Sequence, residues 1–297
     1  MVGHAFRDLL PDAAYISSAD YDLRDIHATR QMYADHNPDF VIHLAAKVGG
    51  VSANFNYLAD FYCENIQINT NVLHAAYESG VKKVVSLLST CIYPDNVSHP
   101  LTEDQIHNGV PHYSNYGYAH AKRMLDVQSR AYRDQYNCNF ITAVPNNLFG
   151  ENDNFHLEDS HVIPALIRKM YEAKINNCDV TLWGDGAPLR EFTYAQDLAK
   201  IMLFLLENYD GRDPINIGNT KEYSIKELAE TIAEILEFRG DILWDTTKMS
   251  GQYRKPSDNS KLLELGWKKE DYSNFYESLT SMCKWFIMNY SNARGIQ

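Results

Sequence analysis

Ser89 and, further along, Tyr118-Ala119-His120-Ala121-Lys122 are the side chains in this sequence whose types and spacing fit one piece of chemistry. Together they can protonate a carbonyl oxygen while hydride reaches its carbon. Tyr118 and Lys122 stand at i and i+4, so on a helix they share a face, and the ammonium can lower the phenol pKa from about 10 toward working pH. Ser89 follows the apolar, β-branched run Val84-Val85-Ser86-Leu87-Leu88, which reads as a buried parallel strand. Doubly wound folds bind their ligands at the C-terminal ends of such strands, and there the Ser89 hydroxyl can polarise the same oxygen. This supports a nicotinamide-dependent enzyme. Tyr-x-x-x-Lys alone is common on exposed helices, so the assignment depends on the elements around it.

The first half alternates strand and helix signals. Ala14-Tyr15-Ile16, Phe40 to Leu44, Val84 to Leu88 and Phe140 to Val144 are predicted strands, and the stretches around 24–36, 58–79 and 115–136 carry helical periodicity. Such a βα alternation predicts a parallel sheet. After Pro145 comes an irregular His- and Asn-rich loop to Ser160, then a helix over 161–175 and a short strand, Val180-Thr181-Leu182-Trp183. Ser224-Ile225-Lys226-Glu227 is a capping box opening a helix from Leu228 to Leu236. A last helix, about 274–290, puts Phe275, Leu279, Met282, Trp285 and Phe286 on one face, a core stripe. The fold class expected is α/β: a Rossmann-like doubly wound parallel sheet with a smaller α+β substrate domain.

Composition sets limits on function. A chain of 297 residues that is 45% hydrophobic can bury a substantial core, and a formal charge of −12 argues against a nucleic-acid surface. Any site for an anionic ligand must be local. Cys63, Cys91, Cys138, Cys178 and Cys283 have neither the spacing of a metal site nor an even count, so no metal and no disulfide framework is expected. No signal-like or membrane-length apolar segment occurs, which makes a cytoplasmic protein with no membrane partner the default.

A resemblance now emerges from the segments His43-Leu44-Ala45-Ala46-Lys47-Val48-Gly49-Gly50, Ser89-Thr90-Cys91-Ile92-Tyr93-Pro94, Asp153-Asn154-Phe155-His156, Ser160-His161-Val162-Ile163-Pro164 and Trp183-Gly184-Asp185-Gly186, with Arg190-Glu191-Phe192 after them. Over nearly its whole length the chain resembles the GDP-L-fucose synthase family of extended short-chain dehydrogenase/reductases. The resemblance implies NADP (NADPH) as cofactor and GDP-4-keto-6-deoxy-D-mannose as substrate, epimerised at carbons 3 and 5 and reduced at carbon 4. It implies Cys91 as base and His161 as acid beside Ser89, Tyr118 and Lys122. Epimerisation alpha to a ketone needs a proton removed from one face and returned to the other, and a thiol and an imidazole have suitable reference pKa values. Read without their surroundings, Cys91 is a structural thiol and His161 an ordinary helix-start histidine.

Lys169, Trp183, Arg190 and Lys255 fall at or near family substrate positions, where the cations can neutralise a diphosphate; each also reads as a solvated charge or a packing residue. Asn147 can bond a sugar hydroxyl. Ser250 replaces an acidic residue usual in the family. A first rival is another nucleotide-sugar enzyme of the same fold, a 4-epimerase or 4,6-dehydratase; dehydratases of this group place an Asp-Glu pair after the Ser/Thr, whereas Cys91-Ile92 follows Thr90 here. The implied cofactor contacts are Gly3, Asp22, Leu23, Leu44, Ala45, Ala46, Leu88, Ser89, Tyr118, Lys122, Pro145, Asn146, Asn147, Leu148 and His161. Ser17-Ser18 at the ribose-reading position favours NADP over NAD. Relatives open on a strand and a Gly-x-x-Gly-x-x-Gly turn, of which Met1-Val2-Gly3 supplies only the last glycine. The first strand is therefore expected to be missing from mid-sheet, leaving two neighbours without partners. That departure also motivates a rival reading, a non-catalytic binding or regulatory homologue. The division expected is a cofactor domain of 1–163 and 190–218 and a substrate domain of 164–189 and 219–297. Homodimerisation through the helices near 58–79 and 115–136 is implied by the resemblance.

Overall fold

The structure is a computed structural model that describes residues 1–247 and 253–296. In chain order the elements are α1 (Val2–Ala5), α2 (Ile26–His36), β1 (Phe40–His43), α3 (Val51–Asn56), α4 (Leu58–Glu78), β2 (Lys83–Leu87), α5 (Tyr116–Tyr136), β3 (Phe140–Pro145) and β4 (Asn147–Phe149). There follow α6 (Val162–Asn176), β5 (Val180–Trp183), β6 (Leu189–Tyr194), α7 (Ala195–Asn208), β7 (Ile215–Ile217), β8 (Glu222–Ser224), α8 (Ile225–Ile235), β9 (Ile242–Asp245), α9 (Ser260–Glu264) and α10 (Phe275–Asn289).

Four strands form a parallel sheet in the order β1-β2-β3-β7, with Val84 opposite Val41 on one side and Phe140 on the other. β2 and β3 are buried along their full length, which is why they read as continuous apolar runs. One face of this sheet packs with α7 around Val85, Ile141, Leu198 and Met202; the other packs around Leu73, Val84, Leu125 and Phe140, from the sheet, α4 and α5. A third core joins α6, α8 and α10 through Ile167, Met170, Ile232, Met282 and Phe286, so the stripe on the last helix is core. Around that core lie the small sheets β4-β6-β8 and β5-β9. The α/β class and the parallel sheet agree with expectation.

The predicted strand Ala14-Tyr15-Ile16 does not form; the segment is irregular. A strand needs a neighbour to complete its ladder, and β1 pairs only with β2 among the described residues. Local contacts hold the segment instead. The Tyr15 hydroxyl donates to the Leu10 carbonyl at 2.7 Å, and the Arg7 guanidinium lies 4.6 Å from the Tyr15 ring centroid. Ala5 and Phe6 are buried in the α7-side core.

Helix boundaries follow local chemistry. The Asp25 carboxylate accepts from the His27 N–H at the start of α2, Asn274 caps α10, and the Ser224–Glu227 capping box opens α8. Asn37, Asn137 and Asn177 end α2, α5 and α6 in the left-handed conformation that asparagine tolerates.

Candidate active site

β2 delivers its chain to the site. Its ladder ends at Leu87, and Leu88 N–H still donates to Ala143 O at 2.8 Å. Ser89 then caps a one-turn 3-10 helix, Thr90–Ile92, its hydroxyl accepting from the Cys91 N–H at 3.3 Å. Thus Cys91, half-buried, sits four residues beyond the strand on a turn that Ser89 itself organises. From the other side α5 brings Tyr118 and Lys122, one turn apart. Gly117, just before Tyr118, lets α5 approach α4 closely: a Cβ there would lie 2.2 Å from the Leu58 carbonyl oxygen.

The Ser89 hydroxyl faces the Tyr118 phenol and favours its ionised form, but burial dominates and the neighbouring Cys91 adds to it, so the phenol is pushed up from its ordinary value. This corrects the expectation of a lowered phenol. The Lys122 ammonium lies 6.0 Å from the Tyr118 ring centroid and donates to Leu87 O at 2.7 Å; burial brings its pKa down to about 8. A phenol pushed up in this way keeps its proton near neutrality and so can act as a proton donor.

Two cations lie near Cys91. Its charge acts on both Arg190 and Lys255, and each of these is otherwise pushed down by burial. Arg190 lies on β6, where Nη1 donates to Leu189 O at 2.7 Å. Lys255 follows the chain that passes Glu191, a nearly inaccessible carboxylate that accepts from Ser257 N–H at 2.9 Å, Ser257 Oγ at 2.6 Å and Asn146 Nδ2 at 3.3 Å. The sequence reading passed over Glu191 as the companion of Arg190. Its signal was a carboxylate between Leu189 and Phe192 in a strand, and a carboxylate buried there demands buried donors. Asn146 also donates to Asn219 O and accepts from Thr193, and Asn147 Nδ2 donates to Glu191 O at 2.9 Å, so both asparagine amides serve the scaffold.

His161 sits on a separate element as the exposed N-cap of α6. Among the described residues no hydrogen bond joins it to Cys91. Gly50 N–H donates to Asp159 O at 2.7 Å, which ties the loop before His161 to the Gly49-Gly50 turn, and a Cβ on Gly50 would meet Ser160 O at 2.7 Å. Asp153 is buried beside His161; burial raises its carboxyl pKa and His161 opposes that. Lys169, on α6, places its ammonium 5.0 Å from the ring centroid of half-exposed Trp183 at the end of β5.

The remaining residues flank the strand ends. Leu44, Ala45 and Ala46 are half-buried beyond β1, Leu88 and Pro145 are buried, and Leu148 is half-buried in β4. Gly3 lies in α1, exposed, with nothing within 4 Å of a Cβ built on it, so no close approach requires a glycine there. Asp22 is paired with Arg24 at 2.8 Å, which holds its carboxyl down to about 2, and Leu23 O accepts from Asn71 at 3.0 Å. Ser17 Oγ donates to Asp20 at 2.6 Å, and residues 14–16, 20, 21 and His36 line an open concavity of about 460 Å³. Ser250 lies outside the described residues.

The chain as a whole is similar to known proteins. The sequence pattern of the NAD dependent epimerase/dehydratase family matches residues 7–218. The chain belongs to this family. It is 46% identical to a GDP-L-fucose synthase of Dictyostelium discoideum, over 94% of this chain and 88% of that protein. A GDP-L-fucose synthase of Escherichia coli is 36% identical over 99% of this chain and 96% of its own length. A crystal structure of a GDP-L-fucose synthetase from Naegleria fowleri bound to NADP superposes with a TM-score of 0.93 at 38% identity, covering 99% of this chain and 92% of that one. Within the family, the chain groups with GDP-L-fucose synthases, as the motif resemblance implied.

Proposed function

We infer that this chain is a GDP-L-fucose synthase, converting GDP-4-keto-6-deoxy-D-mannose to GDP-L-fucose by 3,5-epimerisation and NADPH-dependent reduction. One observation carries the reading. Ser89, Cys91 and Tyr118 meet at one strand end, with Lys122 behind them and Arg190 and Lys255 beside the thiol.

The residues around the nicotinamide end fit NADP. A half-buried tyrosine and a buried lysine stand on one helix face opposite the ends of three parallel strands, and Leu44 to Ala46, Leu88 and Pro145 to Leu148 surround the crevice. Ser89, Tyr118 and Lys122 would hold the nicotinamide and its ribose, and Asp22 and Leu23 the adenine side. When bound, NADPH supplies the hydride that reaches carbon 4. Ser89 polarises the 4-keto oxygen and Tyr118 gives it a proton, with Lys122 restoring the electrostatic balance. Cys91, with the cations Arg190 and Lys255 nearby, takes protons from carbons 3 and 5, and His161 returns them from the opposite face. Proton transfers of this kind are each worth about 10² to 10⁴-fold. Trp183 with Lys169 forms a flat cationic platform suited to a nucleotide, and Arg190 a planar fork suited to a phosphate.

Two lobes divide this work: 1–163 with 190–218 for the cofactor, 164–189 with 219–297 for the sugar nucleotide. The separate core among α6, α8 and α10 supports the division, although Leu262 and Trp267 of the second lobe pack into the main-sheet core. The partner expected is a second copy, docked through α4 and α5, where Tyr62, Tyr77, Met124, Val127 and Tyr136 are exposed. No helix among the described residues is long and apolar enough to cross a membrane.

Exposed Gly3 favours one rival, a homologue that binds sugar nucleotide without turning it over. Variants separate the readings. Tyr118→Phe should suppress reduction and spare deuterium exchange at carbons 3 and 5; Cys91→Ser should do the reverse. Full exchange in Cys91→Ser would remove Cys91 from its role, and a well-folded chain with no affinity for NADPH would favour the rival.

A further inference from the structure

Lys122 and Arg123 are consecutive on α5, both cationic and both nearly inaccessible, and both donate to the main chain that carries Ser89 and Cys91. Lys122 Nζ reaches Leu87 O at 2.7 Å, at the strand end before Ser89. Arg123 Nε reaches Ile92 O at 2.5 Å, just beyond Cys91. The segment is thus pinned at both ends by one helix, the helix that also presents Tyr118. Arg123 does more: Nη1 donates to Gly109 O at 2.5 Å, on the returning limb of a loop that leaves after Tyr93 and closes where Pro94 bridges to Pro111 and Asp95 N–H donates to Val110 O at 2.9 Å.

We propose that Arg123 is a positioning residue for Cys91, clamping the one-turn helix that carries the thiol against α5 and so setting its distance from Tyr118. The proposal rests on the functional reading above, in which Cys91 is the epimerising base. The two ends of the segment differ in what else holds them. Ser89 follows a four-stranded ladder and the Leu88–Ala143 bond, so it keeps its place without Arg123. Beyond Cys91 the carbonyl of the turn is held by Arg123. The turn's own Tyr93–Thr90 bond at 3.3 Å and the side chains of Ile92 and Tyr93, both buried and the latter donating its hydroxyl to Asn216 Oδ1 at 2.6 Å, anchor the chain that follows but leave the Cys91 turn itself to the clamp. A guanidinium has divergent donors for two carbonyls; an ammonium on a lysine stem reaches one of them. Loss of Arg123 should therefore weaken proton removal at carbons 3 and 5 more than cofactor binding or hydride acceptance at carbon 4.

The test compares Arg123→Met and Arg123→Lys with the unsubstituted chain, using GDP-4-keto-6-deoxy-D-mannose in heavy water. Three quantities are read: deuterium at carbons 3 and 5, NADPH affinity, and the configuration of the reduced sugar. Arg123→Met should slow exchange about 10²-fold, the size of effect that a 1 Å misplacement produces, while NADPH affinity stays within roughly threefold. The reduced sugar should shift toward the form that keeps its configuration at carbons 3 and 5, and Arg123→Lys should recover part of the exchange. Unchanged exchange in Arg123→Met, or exchange and NADPH affinity falling together, overturns the proposal. If Arg123→Met is not recovered folded, Arg123→Lys decides by the same comparison, a disproportionate loss of exchange upholding the clamp and an equal loss overturning it. Absence of exchange from the unsubstituted chain overturns the functional reading, and this inference with it.

Discussion

At Tyr118 and Lys122 the same burial acts in opposite senses, pushing the phenol up and the ammonium down to about 8. Above about pH 8 Lys122 gives up its proton, so a group that should hold the cofactor loses its charge there. NADPH affinity is expected to fall as pH rises through about 8; Lys122→Met should bind more weakly and lose the pH dependence. A titration by cofactor fluorescence reads this, and an affinity independent of pH up to 9.5 would contradict it. The residues of this site were legible because each belongs to a short motif whose chemistry is named by its side chains. Their electrostatics were not. Spacing alone gives Lys122 as a neighbour that lowers the Tyr118 pKa, and only the structure shows the ammonium turned onto Leu87 O and the phenol pushed up by burial. Glu191 escaped notice for a similar reason: its role lies in donors from residues 146 and 257, far away in sequence.

At the scale of elements, long helices and buried strands were legible and short strands were not. α4, α5 and α6 are long enough for the 3.6-residue period to show, and β5 coincides with its predicted span. β4, β7 and β8 have three residues each, too few for alternation. α7 was missed because Leu198, Ala199, Ile201, Met202 and Leu205 bury several of its faces, which blurs the period, and no side chain caps its start. The segment 14–16 has strand character and no ladder to join. Close packing of α4 on α5 sets where Tyr118 stands, and Gly117 is the contact that permits it. Gly117→Ala forces its Cβ against the Leu58 carbonyl, and the expected cost is about 1–3 kcal/mol of stability with reduced turnover. Chemical denaturation and a rate assay check this; a variant as stable and active as the parent would show that the helices yield freely.

On the scale of the whole molecule, an acidic chain sets Arg190 and Lys255 near Cys91 and Lys169 against Trp183, cations that the proposed function assigns to a diphosphate sugar. Its acid stability hinges in part on His43, buried in β1 against Asn69 at 3.0 Å and pushed down to about 4 by that burial. Between the ordinary imidazole value of 6.5 and 4 the unfolded chain takes up a proton that the folded chain refuses. Stability is therefore full above 6.5 and falls as pH drops toward 4, by roughly 3 kcal/mol from this residue. In His43→Asn the slope of denaturant stability between pH 6.5 and 4 should flatten; an unchanged slope would show that other groups govern it.

The central claim is tested most directly by supplying the purified chain with GDP-4-keto-6-deoxy-D-mannose and NADPH, following cofactor oxidation and identifying the sugar nucleotide by chromatography. The account predicts stoichiometric NADPH consumption with GDP-L-fucose as product. A folded chain that binds NADPH and the sugar nucleotide yet forms no GDP-L-fucose would contradict it.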